Sequence, residues 1–550
     1  MDRNTLLAFL LIAVILILTP FYMDVVSPPK KSEQTTTIKE PTPITPSPDA
    51  IRPERSQQQT DPPLTATPNN KEKHFYIKTD LYSAVISTMN GGSISSFEML
   101  NYKMADSLPV QLINEFNNNN LLIKTRSIDG ETLSFGGAWS SSLPHKTTIN
   151  ADRTQQSISF SRLVYGKEIT KVLTFYPHTY KIDVETNLTA VLPHLSQGVY
   201  SISWEGGMPV TEKSLKDDVF YFKGYVYQGE ELYTPKLKKD TSLDKKFIGQ
   251  TDWVAIRSKY FTAALIPGVP GSAATISGTH DGNIPRFNAA LHREISNHSI
   301  TSLYLGPLQY DRVKALDVGL EKIMNFGWSF IRVIAKGVLA LLVAMHNVIP
   351  NYGVVLVLFS VLVKIIVYPL TKKSYQSTRK MQDVQPLLNA LKEKHKNNPQ
   401  QLNKATMALY KEKGVNPMGG CLPLLIQMPL LFALFQVFRS TIELRGAPFI
   451  LWIQDLSAPD TLLHVAGFPI NILPILMTIT MLLQQKMTPA QPGQQKNMMY
   501  MMNVFFLFIF YRFPSGLNLY YTLFNLLTIL QQKYLTPHTP SALPVSKRKK

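Results

Sequence analysis

Apolar and polar positions follow three different periods along this chain. Leu6 to Leu18 (LLAFLLIAVILIL) is unbroken apolar sequence preceded by Arg3. No small-x-small cleavage pattern follows it in TPFYMDVVSPP, so residues 1–23 are expected to persist as a signal-anchor helix with a cytoplasmic N-terminus. Residues 24–72 fill with Pro, Thr, Ser and Gln and hold almost no aromatics. Such a composition buries too little surface to offset the entropy of ordering, which predicts a disordered tether.

From 73 to 312 the period becomes two. In Tyr180-Lys-Ile-Asp-Val-Glu185 and Ser157-Ile-Ser-Phe160, apolar side chains alternate with polar ones, as a half-buried strand requires. Asn90-Gly91-Gly92, Leu163-Val-Tyr-Gly-Lys-Glu-Ile169 and Tyr225-Val-Tyr-Gln-Gly229 supply turn chemistry between such runs. Many short strands over this length predict a large antiparallel β-sandwich.

The last regime is helical. Within 313–349, Asn325, Ser329, Arg332 and Lys336 fall at i, i+4, i+7 and i+11, one polar stripe on an otherwise apolar helix. That stripe predicts a helix lying in the membrane interface, with Trp328 and Phe330 dipping into lipid, rather than a span. Across 350–535, five apolar segments are expected to cross the membrane: the run around VLFSVLVKIIVYPLT, then Val415–Phe438, Pro469–Lys486, Asn497–Phe513 and Gly516–Lys533. With the anchor they make six crossings. Lys372–Lys413 is expected to form a basic helical hairpin, Val384–Lys396 and Gln400–Lys413, broken at Asn397-Asn-Pro399.

Charge orients these segments. The hairpin carries ten Lys or Arg against Asp383, Glu393 and Glu412, and the tail 536–550 ends in Lys547-Arg-Lys-Lys550. The loop Thr441–Phe468 instead holds Glu443, Arg445, Asp455 and Asp460. Basic loops inside and an acidic loop outside put both termini in the cytoplasm and the β-domain in the periplasm. A formal net charge of +18 could also suit nucleic acid, but these charges cluster beside apolar segments, which favours anionic phospholipid over any specific nucleic-acid site. The basic hairpin fits either a solvated arm on lipid or a docking arm for a ribosome or nascent chain. One cysteine, Cys421, excludes an intrachain disulfide.

Lys364 changes the picture most. It stands within an apolar run, where a lysine costs roughly 2.5–3.5 kcal/mol at a span centre. Ser360 lies one turn before it and Tyr368 one turn after, a polar stripe. Gln427, Gln484, Gln485, Asn503, Asn518, Tyr520, Tyr521 and Asn525 add polar groups to other spans. Interhelical hydrogen bonding explains each singly, and together they could enclose a wet cavity. No Asp or Glu falls inside any span, so an ammonium without an intramembrane partner is expected, complementary to a visiting carboxylate. Catalytic spacing, a phosphate-binding glycine loop, a cofactor motif and a metal-ligand cluster are all unexpected here, and no enzyme activity is expected.

Val415-Asn-Pro-Met-Gly-Gly-Cys-Leu-Pro-Leu-Leu-Ile-Gln-Met-Pro429, Leu451-Trp-Ile-Gln-Asp-Leu-Ser457, Phe513-Pro-Ser-Gly-Leu-Asn-Leu-Tyr-Tyr521 and Tyr368-Pro-Leu-Thr371 resemble signature stretches of the YidC/Oxa/Alb insertase family, Gram-negative type. The resemblance implies a bacterial inner-membrane insertase and chaperone, with five of the helices forming its core. A hydrophilic groove would receive nascent membrane proteins and release them laterally, alone or with the Sec translocon and its accessory subunits. Lys364, Ser360, Gln427, Tyr520 and Tyr521 match positions lining that groove. The family most often carries Arg where this chain has Lys364, which keeps the charge and loses the bidentate fork. A solute transporter or channel with a periplasmic accessory domain is the alternative, and a sugar-active β-domain a remoter one.

Overall fold

The structure, a computed structural model, describes residues 71–104, 107–396, 398–414, 422–487 and 493–535. The anchor, nearly all of the tether, Cys421 and the basic tail fall outside the described residues. The chain divides into two compact units, residues 1–63 with 491–499 and residues 64–490 with 500–550, and every contact below lies within the second.

The period-two region folds as expected into strands, from His74–Lys78 to Ser299–Pro307. They form a five-stranded and a thirteen-stranded sheet among the described residues. The smaller runs in the order Pro109–Gln111, Ser93–Lys103, Tyr82–Ser87, His74–Lys78, Thr148–Asn150. The larger begins at Thr132–Ser134 and ends at Gln156–Val164. Gln156–Val164 and Lys167–Phe175 pair through a two-residue turn. Tyr165 and Gly166 both take positive φ, 51° and 70°, as a hairpin turn matched to strand twist demands.

Lys167–Phe175 (KEITKVLTF) buries Ile169, Lys171, Leu173 and Phe175 on one face. Alternation thus carries a lysine into the core, 0% exposed. Its Nζ donates to the carbonyls of Asn90 at 3.0 Å and Leu121 at 2.8 Å. Both acceptors sit in left-handed backbone, φ 56° and 55°, so one amine ties together two tight turns. Burial pushes the Lys171 amine down to about 7.

Ten helices are present among the described residues, two of them short: α1 (Leu215–Val219) and α2 (Tyr310–Lys314). α3 (Ser329–His346) buries Ile331, Ala335, Val338, Leu339 and Leu342, one stripe at helical spacing, against α7 (Leu422–Ser440). α4 (Tyr352–Asp383) is a single 32-residue helix that runs through Pro369. The first residues of the expected basic segment 372–413 extend α4. The hairpin proper is α5 (Gln385–Lys394) and α6 (Pro399–Glu412). Asn398 caps α6, its side chain accepting from Gln401 N at 3.1 Å.

α8 (Ile472–Met487), α9 (Gly493–Phe510) and α10 (Ser515–Leu530) complete the helices. The segment expected from Pro469 starts as a helix only at Ile472, because Phe468–Asn471 pairs with Thr461–Val465 as a hairpin. Asp460 Oδ2 then opens α8, accepting from Ile472 N (3.0 Å), Leu473 N (2.7 Å) and Trp452 Nε1 (3.0 Å). Among the described residues two helices are long and apolar enough to cross a membrane, Ser329–His346 and Tyr352–Lys372.

Two of the quoted motifs meet at one end of this bundle. Ser515 N donates to Ala458 O and its Oγ to Asp455 O, both at 2.7 Å, and Gly516 N donates to Leu456 O at 3.0 Å. A Cβ on Gly516 would come within 2.6 Å of the Phe438 ring and 3.0 Å of Leu456 O. The same loop grips the β-domain: Arg445 donates to Glu212 Oε1 and Lys103 O, each at 2.8 Å. Arg439 pairs with Asp217 at 3.5 Å, a carboxylate that also takes Lys259.

Two stability outcomes follow. Between pH 7 and 10.5 the unfolded chain holds a proton that folded Lys171 has shed, so stability rises with pH across that window and levels off below it. Thermal unfolding followed against pH should show this rise in the wild type and lose it in Lys171→Met, which also strips two carbonyls of their donor at about 1–3 kcal/mol each. Gly516→Val should lower the thermal midpoint by overpacking worth about 1–3 kcal/mol. Gly337→Ala, whose new Cβ meets nothing within 4 Å in α3, should raise the midpoint through a helix-propensity gain of about 1 kcal/mol.

Candidate functional site

α4 and α10 face each other with polar groups inward. Ser360, Lys364, Thr371 and Ser374 are buried on α4, and Asn518, Thr522, Asn525 and Thr528 on α10. The opposite face of α4 is apolar and open, with Ile365 and Ile366 each 64% exposed. This inversion, polar within and aliphatic without, suits a helix in lipid. Gln531 Nε2 donates to Thr371 Oγ1 at 3.3 Å, and Lys364 Nζ to Thr528 Oγ1 at 2.7 Å. Phe359 lies near Tyr520 and Lys364 bonds Thr528, so residue numbers rise together and α4 and α10 run parallel.

The lysine differs from the expectation. Lys364 is 8% exposed. Besides the Thr528 hydroxyl, its ammonium stands 4.4 Å from the centre of the Phe524 ring. The expected amine without an intrachain partner is thus corrected: no carboxylate approaches it among the described residues, but a hydroxyl and an aromatic face do. Thr528 escaped the sequence reading because a threonine on an apolar helix reads as packing. The spacing Thr522, Asn525, Thr528 on one helix face was the available signal.

The other expected residues are brought together in part. Ser360 lies one turn from Lys364 on the same buried side, but its Oγ donates to Leu356 O at 2.7 Å, back into its own helix. Tyr520 is fully buried with its ring 5.9 Å from Phe359. Tyr521 turns toward Phe510, with centroids 5.6 Å apart. Neither buried phenol hydroxyl has a hydrogen-bond partner among the described residues. Gln427 is half-buried on α7, and no hydrogen bond joins it to Lys364, Ser360 or either tyrosine among the described residues.

Other polar groups of the bundle are explained by pairing between segments. Asn503 Nδ2 donates to Gln485 Oε1 at 2.6 Å, and Asn525 Nδ2 to Thr480 Oγ1 at 3.4 Å. Asn518 Nδ2 reaches Phe510 O at 3.1 Å. What remains chemically distinctive is a buried lysine met, among the described residues, by a hydroxyl and an aromatic face. Among the described residues no cluster of three or more His, Cys, Asp or Glu could hold a metal ion.

A family model described as "60Kd inner membrane protein" matches residues 344–541, and one described as "YidC periplasmic domain" matches residues 74–341. A protein of Pelodictyon phaeoclathratiforme named "Membrane protein insertase YidC" is 35% identical over 581 residues, covering 98% of this chain and 96% of its own. One of Chlorobium luteolum with the same name is 36% identical over 576 residues, again covering 98% and 96%. The solved structure named "Active YidC insertase crystal structure with the first transmembrane domain resolved" is 19% identical, covers 84% of this chain and 93% of that one, and gives a TM-score of 0.37. The two family models and the end-to-end relatives place the chain in the YidC family.

Proposed function

We propose that this chain is a membrane protein insertase and chaperone of the bacterial inner membrane. It receives hydrophobic nascent proteins at a positively charged interior formed by α4, α7 and α10, then releases them sideways into lipid. The observation that carries this reading is the ammonium of Lys364, buried between α4 and α10 and faced by no carboxylate among the described residues. A buried ion pair would have settled that charge permanently; neutral contacts leave it open to an acidic group that arrives and departs. Relatives of nearly full length bear the insertase name, and the solute-transporter alternative finds no support in them.

The topology follows from charge and direction. Six crossings put both termini in the cytoplasm and the β-domain in the periplasm, with the basic hairpin of α5 and α6 inside. In an alternating chain the second and sixth crossings point the same way, which the parallel run of α4 and α10 supports. α3 is read as lying in the interface although it is long enough to span. Its buried stripe packs on α7, while Arg332 and the exposed Phe330 and Val333 share its outer side. Ser360, Gln427, Tyr520 and Tyr521 are read as groove-lining. The Sec translocon with its accessory subunits, the ribosome and anionic phospholipid are the proposed partners.

No covalent step is needed. Lys364 draws acidic or polar groups of the substrate's external segment inward. Burial of the substrate's apolar helix in lipid then drives release at about 0.8 kcal/mol per CH₂. Membrane potential contributes about 2.3 kcal/mol per elementary charge per 100 mV and favours outward movement of acidic segments. In proteoliposomes, Lys364→Ala should cut insertion of substrates with acidic external tails about tenfold or more, while Lys364→Arg retains it. Wild-type rates in the Ala variant would refute the role of the charge.

A further inference from the structure

We infer that Thr528, together with the ring of Phe524, is the positioning residue that holds the Lys364 ammonium in place for an acidic group of the inserting chain, which displaces the threonine hydroxyl. The inference rests on the insertase reading and deepens it at the same site.

Thr528 Oγ1 accepts from Lys364 Nζ at 2.7 Å and donates onward to Phe524 O, also at 2.7 Å. The second bond commits the hydroxyl proton to the helix backbone, so the oxygen's lone pairs face the amine. Its direction is therefore fixed rather than left to a free rotor. Phe524 lies one turn earlier on the same face of α10, and its ring covers the amine at 4.4 Å. Thr522 and Thr478 make the same kind of bond to their own helices, to Asn518 O and Pro474 O, each at 2.8 Å. Among these three back-bonded threonines, Thr528 is the one that also takes an ammonium.

The contact is suited to exchange. A hydroxyl and an aromatic face desolvate the ammonium only with compensation, which fixes its position without cancelling its charge. A carboxylate makes a charge-assisted hydrogen bond about twice as strong as a neutral one, so an aspartate or glutamate of a guest displaces Thr528 favourably. An asparagine offers only another neutral acceptor and gains nothing by the exchange. The pair thus selects for acidic external segments, and losing Thr528 should weaken that selection specifically.

The test uses the full-length protein in phosphatidylethanolamine–phosphatidylglycerol proteoliposomes. Two single-span substrates would be compared, identical except for aspartates or asparagines in the external segment. Thr528→Val keeps the branched shape and removes the oxygen, and Thr528→Ser keeps the oxygen. Val should lower insertion of the aspartate substrate about tenfold and that of the asparagine substrate much less, with some loss of thermal midpoint from the unpaired amine, while Ser retains wild-type selectivity and midpoint. Equal losses for both substrates, no loss for either, or a Ser variant that behaves like Val would overturn the positioning role. A wild-type protein that inserts neither substrate would overturn the insertase reading itself.

Discussion

The ammonium of Lys364 sits where transfer from water to hydrocarbon alone would exclude it, and the arrangement of α4 and α10 is organised around keeping it there. Both helices turn hydroxyl and amide groups inward and aliphatic groups outward. Ile365 and Ile366, next to Lys364 in sequence, are each 64% exposed. The cost of the buried cation is met by a hydroxyl and an aromatic face, which are weak partners compared with a carboxylate. The amine thus has a hydroxyl and a ring beside it and no acid among the described residues.

The rest of the described structure holds these two helices in register. The loop after α7 bonds to the first residues of α10 through Asp455, Leu456 and Ala458, while Asp460 fixes the start of α8. The same loop reaches the β-domain through Arg445, whose guanidinium is shared between Glu212 and a backbone carbonyl. Two stretches that carried the family resemblance, LWIQDLS and FPSGLNLYY, are tied together at this joint. Gly516 is small because Phe438 and Leu456 leave no room for a side chain. Tyr520 and Tyr521, further along the second motif, carry hydroxyls that the joint does not use.

Much of this was legible in the sequence because it depends on local period. The strand at Lys181–Asn187, the turn at Tyr165-Gly166 and the Pro399 break between α5 and α6 all follow from side-chain alternation or turn chemistry. Lys364 declared itself by being charged among apolar neighbours. Tertiary pairings were not legible. Thr528 lies 164 residues from Lys364, and nothing in either segment names the other. Lys171 could have been found, since KEITKVLTF places it on the same face as Ile169 and Leu173. Hydropathy also misplaced the start of α8, because Phe-Pro-Ile-Asn is equally apolar as a strand.

The central proposal is that Lys364 serves incoming chains because no acid among the described residues satisfies it. Ser360→Asp tests this most directly, since it sets a carboxylate one turn from the amine at the i, i+4 spacing that favours an ion pair. Insertion into proteoliposomes would be measured beside Ser360→Asn, which matches the shape without the charge. The account predicts that Asp abolishes insertion of acid-tailed substrates while Asn preserves it, both proteins remaining folded. Full activity in the Asp variant would contradict it.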